Sequence, residues 1–180
     1  MSVPFLKSVV RRLSHYKINV LHLHLSDDPG WRVEVKKYPE LTVETSFWPT
    51  RQPGKFYTQE DIKSICDFCD SLNIRVIPEI DMPGHSAAFR KAIGKDMQTP
   101  EGMQVLKEAL DEIIPLFKDS LFHIGSDEVH FKMKEFMPEM IRYVRSKGKQ
   151  VVVWYPGYAP DSNAVRMCWG EYEAGYSLDK

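Results

Sequence analysis

The chain has 180 residues, 43% hydrophobic and 27% charged, with a formal net charge of −1. That is enough for one folded domain with a sizeable core and is not the composition of a disordered chain. The near-zero charge gives no electrostatic case for nucleic acid, an anionic membrane or a polyanionic substrate, and no apolar run approaches the ~20 residues that span a bilayer.

The opening MSVPFLKSVVRRLSHYK has no apolar signal core and no small-residue cleavage site, so no export signal is read from it. Within it, residues 4–16 are predicted helical, with Phe5, Val9, Leu13 and Tyr16 on one face and Pro4 in the first turn. INVLHLHL at 18–25 reads as a strand, followed by a long segment to about residue 57 rich in Pro, Gly, Trp and charge. Thr58 with Asp61 spells a capping box, opening a helix to about Leu72. That helix carries Cys66 and Cys69. With Cys168 they make three cysteines, an odd number that rules out complete internal pairing. Lacking a second pair, the C-x-x-C reads as two helix thiols rather than a zinc or redox site.

IRVIPEI at 74–80 is a continuous apolar strand of the buried parallel type. Residues 81–100 read as loop, 101–117 as helix, 121–125 as strand and 134–147 as a helix closed by Gly148. VVVW at 151–154 and AVRMCW at 164–169 read as the last two strands, with a turn-rich linker at 155–163. The alternation predicts a parallel α/β sheet. Chemistry-bearing residues fall just past each strand: Asp27 and Asp28, then Asp81 and His85, then Asp127 and Glu128, with Trp154 and Trp169 ending the last two. Polar groups at the C-terminal ends of parallel strands mark a (β/α) barrel rim. An open doubly wound sheet obeys the same rule, but no glycine-rich phosphate loop follows the first strand.

Asp127–Glu128 is the strongest candidate for chemistry. Neighbours in a regular strand point to opposite faces, but at a strand end they can converge on one site. Adjacent carboxylates push their proton affinities apart, so that one stays ionised while the other keeps a proton to donate. The plainer reading is a pair of N-caps for a following helix. His123 lies in an otherwise apolar strand and needs a partner, as do His22 and His24, which share a face of the first strand. His85, in the Pro-Gly turn of EIDMPGHS, is placed to bend over the rim and orient a general acid.

These residues sit in segments that resemble family 20 glycoside hydrolases: LHLHLSDDPGWRVEVKKYPELT at 21–42, YTQEDI at 57–62, IRVIPEIDMPGHSAA at 74–88 and HIGSDEV at 123–129. The resemblance implies a partial (β/α)8 TIM barrel covering roughly strands 2 to 6, as a single domain over 1–180. It implies a β-N-acetylhexosaminidase working by substrate assistance, in which the sugar's own acetamido oxygen attacks the anomeric carbon. Asp127 then matches the residue that orients the acetamido N–H, and Glu128 the general acid. His85 and Asp27 match the relay behind that acid, Asp81 a supporting carboxylate near Asp127, and Trp154 and Trp169 the walls of the acetamido pocket.

The pattern departs from the family at Ser126, where a second glycine is common. No strand precedes the first helix to carry the family's sugar-gripping arginine, a role Arg11 and Arg12 cannot fill. Tyr172 and Tyr176 do not lie in the family's tyrosine motif. No cofactor and no metal are expected. The expected partner is a glycan ending in N-acetylhexosamine, with self-association through open barrel edges. The resemblance implies a secreted, periplasmic or lysosomal parent. The alternatives are a non-catalytic relative and a carbohydrate-binding module, the latter using Trp31, Trp48 and Phe56 as an exposed aromatic face.

Overall fold

The computed structural model describes residues 1–158 and 164–168. Helix α1 (Val3–His15) leads into strand β1 (Val20–His24), and a short antiparallel pair follows, β2 (Ser26–Asp27) with β3 (Gly30–Trp31). Then come α2 (Gln59–Asp70), β4 (Arg75–Glu79), α3 (Ala87–Ile93), α4 (Pro100–Ile113), β5 (Leu121–His123), α5 (Phe136–Ser146), β6 (Gln150–Tyr155) and β7 (Val165–Cys168). The long strands form one sheet in the order β1-β4-β5-β6-β7, every pairing parallel. Consecutive long strands lie side by side, with helices in the crossovers from β1 to β6, which is the β/α arrangement of a barrel.

The capping box at Thr58 forms: its hydroxyl accepts from the Asp61 N–H, and the Asp61 carboxylate accepts from the Thr58 N–H, each at 3.0 Å. Cys66 and Cys69 are buried on the inner side of α2, and burial pushes both thiols up to about 11. At that proton affinity they are inert thiols at neutral pH.

Three local expectations are corrected. Helix α1 buries Leu6 and Val10, not the face carrying Phe5, Leu13 and Tyr16, which are exposed. Residues 81–100 are not all loop, because α3 forms within them. Its buried Ala88 and Phe89 anchor it, and Gly94 ends it with φ +71; a glycine meets no Cβ penalty in that left-handed conformation. The helix expected at 101–117 ends at Ile113 and tightens into a 3-10 turn over Ile114–Leu116, because Pro115 has no N–H to continue the α ladder. The 26–57 segment is tied down by Arg32, whose guanidinium donates to the carbonyls of Arg51, Gln52 and Lys55. Trp31 is buried against Phe89, so it leaves the exposed aromatic set and the case for a flat sugar-binding face weakens.

Alternation along the strands separates two faces. Phe122, Val151 and Val153 join the main core with Leu106, Leu110, Met140 and Val144 of α4 and α5. The opposite row carries His24, Glu79 and His123, in register across β1, β4 and β5. His22 and Trp154 lie two residues away along the same face. That polar row and the loops above it build the site.

Candidate active site

Three segments bring the site together: β2 carries Asp27, the loop after β4 carries His85, and the loop after β5 carries both Asp127 and Glu128. His85 is the link. Its Nδ1 lies 3.2 Å from Asp27 Oδ1, and its Nε2 lies 3.4 Å from Glu128 Oε2 and 3.9 Å from Asp127 Oδ2. To reach this position the backbone takes left-handed values at His85 (φ +45), Ser126 (φ +93) and Glu128 (φ +47). Non-glycine residues there cost on the order of 1 kcal/mol or more each, the kind of strain that concentrates at functional sites. Asp28, the other half of the Asp-Asp pair, accepts from the Ala87 N–H at 2.8 Å and so caps the start of α3. The two aspartates therefore divide the work: Asp28 fixes the loop and Asp27 faces His85.

The charges are arranged unequally. Burial raises the proton affinity of Asp127. Burial opposes a charge on His85 too, but the carboxylates of Asp81, Asp127, Asp27 and Asp28 outweigh it and raise that imidazole. The Glu128 side chain is 60% exposed and stands open to solvent. Asp127 Oδ1 is buried and meets no hydrogen-bond donor among the described residues.

Asp81 lies beneath Asp127. Its backbone N–H donates to Ser26 Oγ at 2.8 Å, and its Oδ1 accepts from the Ser126 N–H at 3.2 Å. Burial, then the neighbouring charges of Asp127 and Glu79, push the Asp81 carboxyl up to about 7. A folded-state value above the ordinary 3.8 means that the folded chain binds the extra proton, so this group's contribution to stability falls as pH rises from about 4 to 7. Asp81→Asn keeps the acceptor and removes the titration. The variant is expected to be more stable than the parent at pH 8, by on the order of 1 kcal/mol or more, with the gap closing toward pH 4. Denaturant titrations of both proteins across that range check this, and a gap that does not change with pH would count against it.

Below the rim lies a part of the site that the sequence reading did not single out. Glu79 is fully buried, yet ionised: burial opposes its charge, but His22 and His24 outweigh it and hold the carboxyl below the usual range. Its Oε1 accepts from Trp154 Nε1 at 2.7 Å, and its Oε2 lies 2.9 Å from His22 Nε2 and 3.0 Å from His24 Nδ1. The only signal was a glutamate in an otherwise apolar strand. His123 packs under Trp154, with ring centroids 4.5 Å apart, and its Nδ1 accepts from the Gly125 N–H at 3.0 Å. Its contribution is thus to shape the turn that delivers Asp127, and burial holds it uncharged, down to about 4. His22, Glu79 and His123 place possible metal-ligand atoms within 4.8 Å of one another. However, the Gly125 N–H uses the Nδ1 lone pair, which leaves the proton of neutral His123 on Nε2, so that ring is not poised to ligate. Trp169, Tyr172 and Tyr176 lie outside the described residues.

Carboxylates and a histidine converging at the C-terminal rim of a parallel β/α sheet are the arrangement of a barrel glycoside hydrolase. The catalytic domain of glycosyl hydrolase family 20 matches residues 1–104 and 95–158, and the chain belongs to that family. It is 32% identical to a β-hexosaminidase of Vibrio furnissii over 82% of this chain and 34% of that one. It is 35% identical to one of Porphyromonas gingivalis over 97% of this chain and 29% of that one. The exo-β-N-acetylglucosaminidase of Vibrio harveyi, solved in complex with N-acetylglucosamine, superposes with a TM-score of 0.83 at 29% identity, covering 97% of this chain and 37% of that one. The Streptomyces coelicolor β-N-acetylhexosaminidase gives 0.83 at 30% identity over 94% and 40%. The chain thus spans about a third of the length of these curated relatives.

Proposed function

We propose that this chain carries the catalytic carboxylates of a β-N-acetylhexosaminidase that releases terminal N-acetylhexosamine through the substrate's own acetamido group. The observation that carries the proposal is the buried Oδ1 of Asp127, which meets no donor among the described residues, beside a Glu128 whose Oε2 lies 3.4 Å from His85 Nε2. An acceptor in that state suits an acetamido N–H, since an unmet buried acceptor is costly. The acetamido oxygen attacks the anomeric carbon as the glycosidic C–O bond breaks. Glu128 gives its proton to the departing oxygen, leaving an oxazolinium ion whose charge the Asp127 carboxylate offsets. Water then attacks the anomeric carbon as its bond to the acetamido oxygen breaks, which restores the acetamide, and gives a proton back to Glu128. Trp154, and Trp169 by resemblance, would wall the acetamido methyl, which is how an apolar pocket selects N-acetyl sugars.

Binding of an oxazoline-mimicking thiazoline, followed by calorimetry, tests this. The parent chain should bind it, and Asp127→Asn should weaken binding by about 10- to 100-fold, the worth of a hydrogen bond to a charged group. Equal affinity in the two proteins removes Asp127 from the role. Thiazoline binding with no hydrolysis of 4-nitrophenyl N-acetyl-β-glucosaminide would instead mark a chain that binds the sugar without turning it over. Strands β1 and β7 form the open edges of the described sheet, and unpaired edges invite association. Self-association of this chain follows as an expectation, and a monomer by light scattering at high concentration would end it.

A further inference from the structure

The buried carboxylate of Glu79 and the relay at the rim are joined through one side chain. Trp154 Nε1–H donates to Glu79 Oε1 at 2.7 Å, and Glu79 Oε2 lies 3.0 Å from His24 Nδ1. The other nitrogen of the same ring, His24 Nε2, lies 3.5 Å from Asp27 Oδ2. Asp27 Oδ1 in turn faces His85 Nδ1, whose Nε2 faces Glu128. Carboxylates and imidazoles alternate along the whole line, so every neighbour can be of opposite charge. We propose that Glu79 and His24 are positioning residues of this site: Glu79 fixes the indole of Trp154, and His24, as a bridging cation, ties it to Asp27 and so to the His85–Glu128 pair.

The proposal rests on the reading of Trp154 as pocket wall and Glu128 as acid given above. It adds a physical link between the two. A tryptophan on a strand end has freedom about two side-chain torsions, and a short hydrogen bond to a buried carboxylate removes that freedom. A carboxylate buried without partners would give up its charge, so Glu79 needs its histidines to remain an acceptor of this strength. His24 is the half-exposed member, and the carboxylates of Asp27 and Glu79 raise its proton affinity to about 10. Of the other titratable groups around it, Asp81 adds to that effect, while the charges of His22 and His24 fall on His123 and lower it. The bridge therefore stays charged at neutral pH, where a free imidazole near 6.5 is mostly neutral.

Two substitutions separate charge from geometry. Glu79→Gln removes the charge but keeps an acceptor for the indole, whereas Glu79→Leu removes both. The probe is NMR on the intact chain, labelled at histidine and tryptophan ring nitrogens. In the parent, His24 should remain protonated to alkaline pH and the Trp154 indole N–H should resonate downfield. Glu79→Gln should lower the His24 midpoint by about one pH unit or more and leave the indole N–H downfield. Glu79→Leu should lower the midpoint and also move the indole signal upfield. With thiazoline as ligand, Glu79→Gln should stay within about threefold of the parent and Glu79→Leu should lose about tenfold or more.

An unmoved His24 midpoint in Glu79→Gln, or an unmoved indole signal in a folded Glu79→Leu, overturns the proposal. Should Glu79→Leu fail to fold, Asp27→Asn replaces it. It leaves the buried carboxylate in place and must lower the same midpoint, and an unmoved midpoint there overturns the proposal too. If the parent binds no thiazoline, the functional reading fails, while the NMR measurements still decide whether the bridge exists.

Discussion

Replacing Gly125 with alanine is expected to cost about 3 kcal/mol or more of stability and to remove thiazoline binding in whatever protein still folds. A Cβ on Gly125 would stand 1.7 Å from Asp81 Oδ1 and 2.7 Å from Asp81 Cα, and the glycine has φ +67. Neither neighbour can yield cheaply. Asp81 is buried and held by Ser26 Oγ, and its Oδ1 accepts the Ser126 N–H that sets the turn into Asp127. The Gly125 carbonyl accepts from the Trp154 N–H at 2.9 Å, so the β5–β6 edge would shift with it. The strain therefore reaches both Asp127 and Trp154, the two residues proposed to orient the acetamido group and to wall its pocket. Chemical denaturation with thiazoline titration measures both effects. A loss under about 1 kcal/mol with full binding would show that the turn relaxes around the methyl.

Glu128→Gln is expected to lower kcat by about 10²- to 10⁴-fold, the usual worth of a general acid–base group, while leaving thiazoline affinity near that of the parent. The backbone at Glu128 is in the left-handed region, and its carboxylate lies 3.4 Å from His85 Nε2. An amide there keeps the shape and loses the proton. The loss should be larger for an N-acetylglucosaminyl disaccharide than for the 4-nitrophenyl glycoside, because a nitrophenolate leaves without needing much protonation and a sugar alkoxide does not. Initial rates on the two substrates, compared between parent and variant, check this. Equal losses on both would move the role of Glu128 from acid to the later activation of water.

The two predictions differ in how far they were legible in the chain. Asp127 and Glu128 stand in a motif, HIGSDEV, that marks them at once, and the alternation of apolar strands with amphipathic helices announces parallel β/α units. Asp27, Asp81 and His85 were visible for the same reason, as polar residues just beyond strand ends. Gly125 and Glu79 were harder. A glycine before an Asp-Glu pair suggests a turn, but nothing local says that its missing Cβ makes room for a carboxylate forty-four residues earlier in the chain. Glu79 sits inside a strand that reads as continuously apolar, and His24 reads as one of two histidines on a face of the first strand. Trp31, three residues beyond Asp28, looked as available for sugar stacking as Trp48 until Phe89 was seen to cover it.

What the sequence by itself determined is what short-range rules carry: strand and helix periodicity, the Thr58 capping box, the absence of a dinucleotide loop, and the identity of the residues at each strand end. It also carried the family, because four motifs occur in order along one chain. The tertiary structure alone decided which of those groups meet. The line from Trp154 through Glu79, His24, Asp27 and His85 to Glu128 draws on β6, β4, β1, β2 and two loops. Whether a buried carboxylate keeps its charge depends on the histidines brought to it across the sheet. That is set by register between strands, since a slip of one residue would turn Glu79 into the helical layer and leave His24 with a single carboxylate.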